Sequence, residues 1–139
     1  MATPQESRAL YNSLVNSGNV SYATLPDGAA AIALTAAAAW VFGAWAQIVA
    51  TVGAAAVWLC GIGMAAPSAP ASEYDVDIGQ GAGAAEVSIA ELPYFDGMLW
   101  LPHMVRVVAA TRLAGRTRSS SGAADTIAVK VVVALGLPA

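Results

Sequence analysis

The chain has 139 residues, of which six are Lys or Arg, nine are Asp or Glu and one is His, for a net charge of −3. With 58% apolar residues and a single cysteine it is neither a disordered chain nor a disulfide scaffold, and its acidic balance argues against nucleic-acid binding. The length suits one domain that buries roughly two-thirds of its unfolded surface.

The first element predicted is a short helix. Thr3-Pro4-Gln5-Glu6 supplies a cap, a proline at the first helical position and a glutamate three residues after the cap. Leu10 and Leu14 lie four apart, and Asn16-Ser17-Gly18 stops the pattern. This stripe is too short to hold a helix alone. Residues 1–18 therefore read either as a frayed end or as an arm whose Leu10 and Leu14 dock on a neighbour. Residues 19–139 read as one domain. Its first strand spans Asn19 to Leu25 and ends at the turn Pro26-Asp27-Gly28.

From Gly28 to Ser72 no residue is charged, and Ala29 to Ala66 is apolar apart from Thr35, Gln47 and Thr51. About 20 apolar residues span a membrane, so length permits a span or a tight hairpin. Against this, much of the apolarity is alanine, of which the chain has 33, and Gly43, Gly53, Gly61 and Gly63 interrupt the run. No basic residue flanks either end, and the polar N-terminus does not resemble a secretory signal. Buried strands are the favoured reading. Trp40 and Phe42 alternate with Val41; Trp45, Gln47 and Val49 with Ala44, Ala46 and Ile48; Val57 and Leu59 with Trp58, Cys60 and Ile62. Strands apolar on both sides need cover on both sides, from their own domain and from a partner chain. A membrane hairpin and buried Ala-rich helices remain the alternatives.

After the Pro67–Ser72 loop, alternation is cleaner. Tyr74, Val76 and Ile78 share one face and Asp75 and Asp77 the other, the pattern of a half-buried strand with a wet side. Gly79 to Gly83 reads as a turn. Glu86 to Leu92 reads as a strand, with Val87 and Ile89 opposite Glu86 and Ser88, ended by Pro93. Pro93 to Pro102 reads as a loop rich in aromatics that packs over one end of the core, with a contact patch for a partner through Tyr94, Phe95 and Trp100 as the alternative. Strands follow at Met104–Val108, at Leu113–Arg118 with Arg112, Arg116 and Arg118 on one face, and at Thr126–Leu135. In the last, Ile127, Val129, Val131 and Val133 face one way. Short strands with turns at such intervals predict an all-β antiparallel sandwich or barrel.

Catalytic chemistry is sparse. His103 is the only histidine, so no histidine-based metal cluster can form within one chain. Cys60 lies in an apolar run and reads as an inert core thiol. Ser119, Ser120 and Ser121 lack a nucleophile elbow. Gly79-Gln80-Gly81 with Gly83 has no following helix to hold phosphate. Asp75 and Asp77, with Glu73 behind them, could hold Ca²⁺ with loop carbonyls, but a solvated strand face is the favoured reading. The arginines from Arg106 to Arg118 are expected to pair with acids across the sheet or between subunits, with a small anion site as the alternative. No enzyme activity and no cofactor are expected.

The runs Tyr74-Asp75-Val76-Asp77-Ile78-Gly79, Gly83-Ala84-Ala85-Glu86-Val87-Ser88-Ile89-Ala90, Trp100-Leu101-Pro102 and Ala109 to Ser120, with Trp58-Leu59-Cys60-Gly61-Ile62 upstream, resemble small virion structural proteins of tailed bacteriophages. The resemblance covers roughly Gly28 to Val133 and includes no catalytic motif. It implies a jelly-roll β-sandwich on a phage particle, as a capsid decoration, a spike base or a minor tail component. Its expected partners are copies of itself, in a homo-oligomer expected to be a trimer, and major capsid or tail proteins. Nucleic acid and membrane are not expected, and the location would be the virion. The candidate interface comprises Leu10, Leu14, Tyr94, Phe95, Trp100, Arg112, Arg116 and Arg118. Two other functions compete. One is a carbohydrate-binding module in which Trp100, Tyr94 and Phe95 stack on sugars and Asp96 accepts hydroxyl hydrogen bonds. The other is a small membrane protein with its hairpin at 29–66.

Overall fold

The computed structural model describes residues 20–28 and 30–137. The expected N-terminal helix, with Leu10 and Leu14, lies outside the described residues. Among these residues run nine strands, all paired antiparallel: β1 (Ser21–Leu25), β2 (Ile32–Thr35), β3 (Ala46–Val49), β4 (Val57–Ala65), β5 (Tyr74–Gln80), β6 (Val87–Pro93), β7 (Gly97–Val107), β8 (Leu113–Ser119) and β9 (Thr126–Leu135). No helix occurs among the described residues.

The strands form two sheets. In the five-stranded sheet β1 and β2 both pair with β9, β1 along Val131–Leu135 and β2 along Thr126–Val129, so they are two halves of one edge strand. The order is then β1/β2, β9, β4, β7, facing a four-stranded sheet ordered β3, β8, β5, β6. The pairings nest: β5 with β6, β4 with β7, β3 with β8, and β2 with β9. The chain is thus a long antiparallel hairpin rolled up on itself, which is a jelly roll. The sandwich predicted from strand alternation is the observed architecture.

Between the sheets lies a core that includes Leu34, Ile48, Leu59, Ile62, Tyr74, Ile78, Leu113 and the β9 row Ile127, Val129, Val131 and Val133. Alternation alone places the β5 and β9 residues correctly. It misplaces Ile62. An extra residue at Cys60 shifts the register of β4 against β9, since Leu59 pairs with Val133 but Gly61 with Val132, whereas toward β7 the excess lies in β7, whose residues 101–104 stand against Cys60 alone. Without this bulge Ile62 and Met64 would face outward with Trp58. With it they turn inward, both at most 2% exposed. Gly61 turns outward instead, and Trp100 rests on it: a Cβ there would sit 2.9 Å from the indole.

Three further expectations are corrected. Residues Trp40 to Trp45 form an irregular loop rather than a strand, although it runs beside β8 through hydrogen bonds from Trp40 N–H to Ser119 O (2.8 Å) and from Gly43 N–H to Thr117 O (3.0 Å). A positive φ of 57° at Trp40 breaks the pleat. The aromatic loop at 93–102 is mostly strand, because β7 begins at Gly97 and runs through Pro102. β7 is an edge strand, and Pro102 lies in its residues 101–104, which bulge between the pairs Gly61–Trp100 and Leu59–Val105, so it takes no donor from the ladder. Val87 shares no core face with Ile89. It is 65% exposed near the start of β6, where the register slips between Ile78 and Gly79.

The charge-free stretch is occupied by β2, β3, β4 and their connections, and no helix among the described residues is long and apolar enough to cross a membrane. Truncating Leu59, fully buried between the sheets, to alanine is expected to cost about 2–5 kcal/mol. The shift in urea midpoint at unchanged slope measures it.

Candidate functional site

The two sheets turn outer faces of opposite chemistry to their surroundings. The five strands of the larger sheet carry only two full charges, Arg106 and Lys130. The four-stranded sheet carries Asp75, Asp77, Glu91, Arg116 and Arg118, with Glu86 and Arg112 adjoining it.

On the charged face the register sets acid against base. Asp75 lies opposite Arg118, and Asp77 opposite Arg116. Arg118 Nε donates to Asp75 Oδ2 at 2.9 Å and its Nη2 to Glu91 at 3.2 Å. Arg116 Nε donates to Asp77 Oδ2 at 2.8 Å, and Ser88 Oγ donates to the other Asp77 oxygen. Arg112 Nη1 meets Glu86 at 2.5 Å and its Nε donates to Gln47 Oε1 at 3.2 Å. The three arginines expected at an interface therefore form ion pairs within one chain. The strand face expected to be wet is covered, and Asp77 is only 1% exposed.

Its cover is the β2–β3 loop. The Arg116 guanidinium stands 4.4 Å from the Phe42 ring centre and 4.3 Å from that of Trp45. The Arg118 guanidinium stands 4.7 Å from Phe42 and 5.8 Å from Trp40. Aromatics and arginines thus alternate in a ladder of Trp40, Arg118, Phe42, Arg116 and Trp45, with each cation also held by an aspartate of β5. Gly79 completes the seat, because any Cβ there would lie 2.7 Å from the Trp45 ring. Sequence reading missed this loop, although the spacing of Trp40, Phe42 and Trp45 against Arg116 and Arg118 was its only available signal.

The aromatics singled out near β7 are divided. Trp100 is 58% exposed on the outer face of the five-stranded sheet. Around it on the same side lie Met98, Met104, Trp58, Cys60, Val132 and Ala134. Tyr94 instead packs against the core edge beside Tyr74, with ring centres 6.2 Å apart, and its hydroxyl donates to Asp96 at 3.3 Å. Burial and the Asp96 carboxylate push the Tyr94 phenol above its ordinary value. Phe95 is 51% exposed. Tyr94 and Asp96 come together as the sugar-binding reading requires, but Trp100 belongs to another surface.

The candidate nucleophiles among the described residues are held by hydrogen bonds of the fold. Cys60 is buried, its thiol donates to Val132 O at 3.3 Å, and burial pushes its pKa up to about 11. Ser119 and Ser121 both donate to Asp125, which closes the β8–β9 turn. Among the described residues no group of three or more metal-binding side chains gathers.

Removing Arg116 leaves Asp77 buried without its cation. Arg116→Ala is expected to cost about 2–3 kcal/mol, below the value for a fully buried pair because the arginine is partly solvated. Asp77→Asn in the same chain should recover part of the loss, as thermal or urea unfolding will show. For Glu86, desolvation raises the carboxyl, but hydrogen bonds from its own backbone N–H and from Arg112, with the guanidinium charge, outweigh it and hold it below the ordinary 4.5. A depressed carboxyl stabilises the fold above its unfolded value, and that contribution is lost as pH falls through the folded value. The stability gap between wild type and Arg112→Ala is therefore expected to be full at neutral pH and to close below pH 4.5. Cys60 is expected to resist thiol reagents at pH 8 until the chain is unfolded, as absorbance on labelling will report.

No protein-family model matches this chain, and no curated protein matches it in sequence.

Proposed function

We propose that the protein is a non-enzymatic structural subunit of a tailed-phage particle. In this reading it assembles with copies of itself, and with major capsid or tail proteins, through the apolar outer face of its five-stranded sheet. The observation that carries the assembly is that face. Trp100 and Tyr22 are 58% and 42% exposed, and Met98, Met104, Trp58 and Val132 lie on the same side. No acidic residue occurs on any of its strands. The Trp58 indole N–H, on an interior strand of this sheet, has no acceptor among the described residues. Contiguous exposed apolar surface on a small domain marks an interaction site. A stable interface needs about 800 Å² from each partner.

The phage setting rests on the sequence resemblance together with the jelly roll, an architecture frequent in viral capsid proteins and also in lectins. Fold alone does not assign the role. The opposite face supports the same choice of contact surface: its charges are already satisfied within the chain and offer a partner little.

Sedimentation velocity of the purified protein is expected to show a closed oligomer. Trp100→Asp should dissociate it while far-UV circular dichroism stays β-rich. A wild type that remains monomeric at high concentration would sink the assembly reading. Quantitative mass spectrometry of purified particles then tests the setting, with a copy number that is a multiple of the oligomer.

A further inference from the structure

A cleft of about 340 Å³ opens where the β2–β3 loop meets the start of β5 and the end of β6. It lies on the four-stranded side of the sandwich, away from the apolar face. Trp40, Pro93 and Tyr94 provide apolar walls, and Ser72, Glu73 and Asp75 provide a polar rim. Its volume is at the small end for ligand pockets, which suits a ligand of one or two rings.

The walls are held in place before any ligand arrives. Glu73 is pinned by its N–H donating to Ser120 Oγ at 3.0 Å, while Ser120 N–H donates back to Glu73 O at 2.9 Å. Tyr94 N–H donates to Tyr74 O at 2.8 Å. Trp40 is fixed at its turn by its N–H to Ser119 O at 2.8 Å and by the Arg118 guanidinium 5.8 Å from its ring, and the residue still remains 45% exposed, which leaves ring surface for a ligand.

The rim selects the ligand. Both carboxylates accept hydrogen bonds, so the ligand must be rich in donors. Glu73 has no ion-pair partner among the described residues, while Asp75 and Glu91 share Arg118. This acidic balance repels phosphates, uronates and other anions. A compact cation is disfavoured as well, because the Arg118 guanidinium already stands against Trp40 and Asp75. A neutral sugar satisfies both demands: its C–H face lies on an aromatic wall and its hydroxyls donate to the carboxylates. We propose that the cleft between Trp40, Tyr94 and Glu73 is a binding site for a neutral saccharide.

This goes beyond the assembly reading and uses none of its residues, so the two can fail separately. Saturation-transfer NMR observes the ligand and works at any oligomer size. Glucose, maltose, cellobiose and N-acetylglucosamine serve as neutral probes, with glucuronic acid as the anionic counterpart. At least one neutral sugar is expected to give a saturable signal that glucuronic acid does not. Trp40→Ala and Glu73→Gln should each weaken it at least tenfold, a change that Trp100→Ala should not produce. Glu73 is exposed, so its variant keeps the test valid if Trp40→Ala fails to fold. The proposal is overturned if all four neutral sugars are silent, if glucuronic acid binds equally well, or if Glu73→Gln binds like the wild type. A polysaccharide arm with host cell-surface glycan separates a surface receptor from a free sugar: tighter binding to the polymer marks the former.

Discussion

A sandwich excludes water only if every strand turns its bulky side chains toward the facing sheet, and β4 meets that demand through one extra residue. Its sequence reads Val57, Trp58, Leu59, Cys60, Gly61, Ile62, Gly63, Met64. A regular pleat would bury Val57 and Leu59 together with two glycines, and would leave Ile62 and Met64 outside. The bulge at Cys60 changes the parity midway, so all four large residues enter the core and the glycines face out. β4 lies between β9 and β7, and both of its ladders break at this point, with one extra residue on β4 against β9 and residues 101–104 of β7 bulging against Cys60. The bulge at Cys60 also decides the outer surface. The outward Gly61 gives Trp100 its seat, and the displaced Cys60 joins the apolar patch around Val132 and Ala134.

The second organising feature is the segregation of charge. Nearly all the ion pairs lie on the four-stranded sheet, where opposite strands place Asp75 against Arg118 and Asp77 against Arg116. These pairs are capped by the β2–β3 loop, whose aromatics stand over the guanidinium groups. Burying an aspartate such as Asp77 is tolerable only with a cation and a hydroxyl both in reach, which Arg116 and Ser88 supply. The result is a molecule with one face closed by its own contacts and one face left apolar. The proposed assembly surface and the proposed sugar cleft follow from that division, the first on the open face and the second at the rim of the closed one.

Much of the fold was legible where alternation is unbroken. In β5 and β9 every second residue is Tyr, Val or Ile, so period two fixes both the strand and its inner face. The antiparallel sandwich followed from the number and spacing of such runs. Legibility failed where the physics is non-local. Nothing in the local pattern around Cys60 announces a bulge, because its benefit arises only from the opposing core. The stretch Trp40–Trp45 alternates like a strand, yet its aromatics answer to Arg116 and Arg118, which are far away in sequence. The aromatics after Pro93 read as a loop because proline and glycine punctuate them, while an edge position and a bulge over residues 101–104 let β7 absorb Pro102.

By itself the sequence determined the class of structure: a chain too apolar for disorder, patterned as short amphipathic strands, with acids and arginines placed at strand period. Tertiary structure alone decided which apolar residues the fold keeps for itself and which it leaves outside. It paired the arginines within the chain, split Trp100 from Tyr94, and brought Trp40 to Glu73. The reason is that period two assigns a side chain to one of two faces, whereas only the rolled pairing of distant strands determines what each face meets.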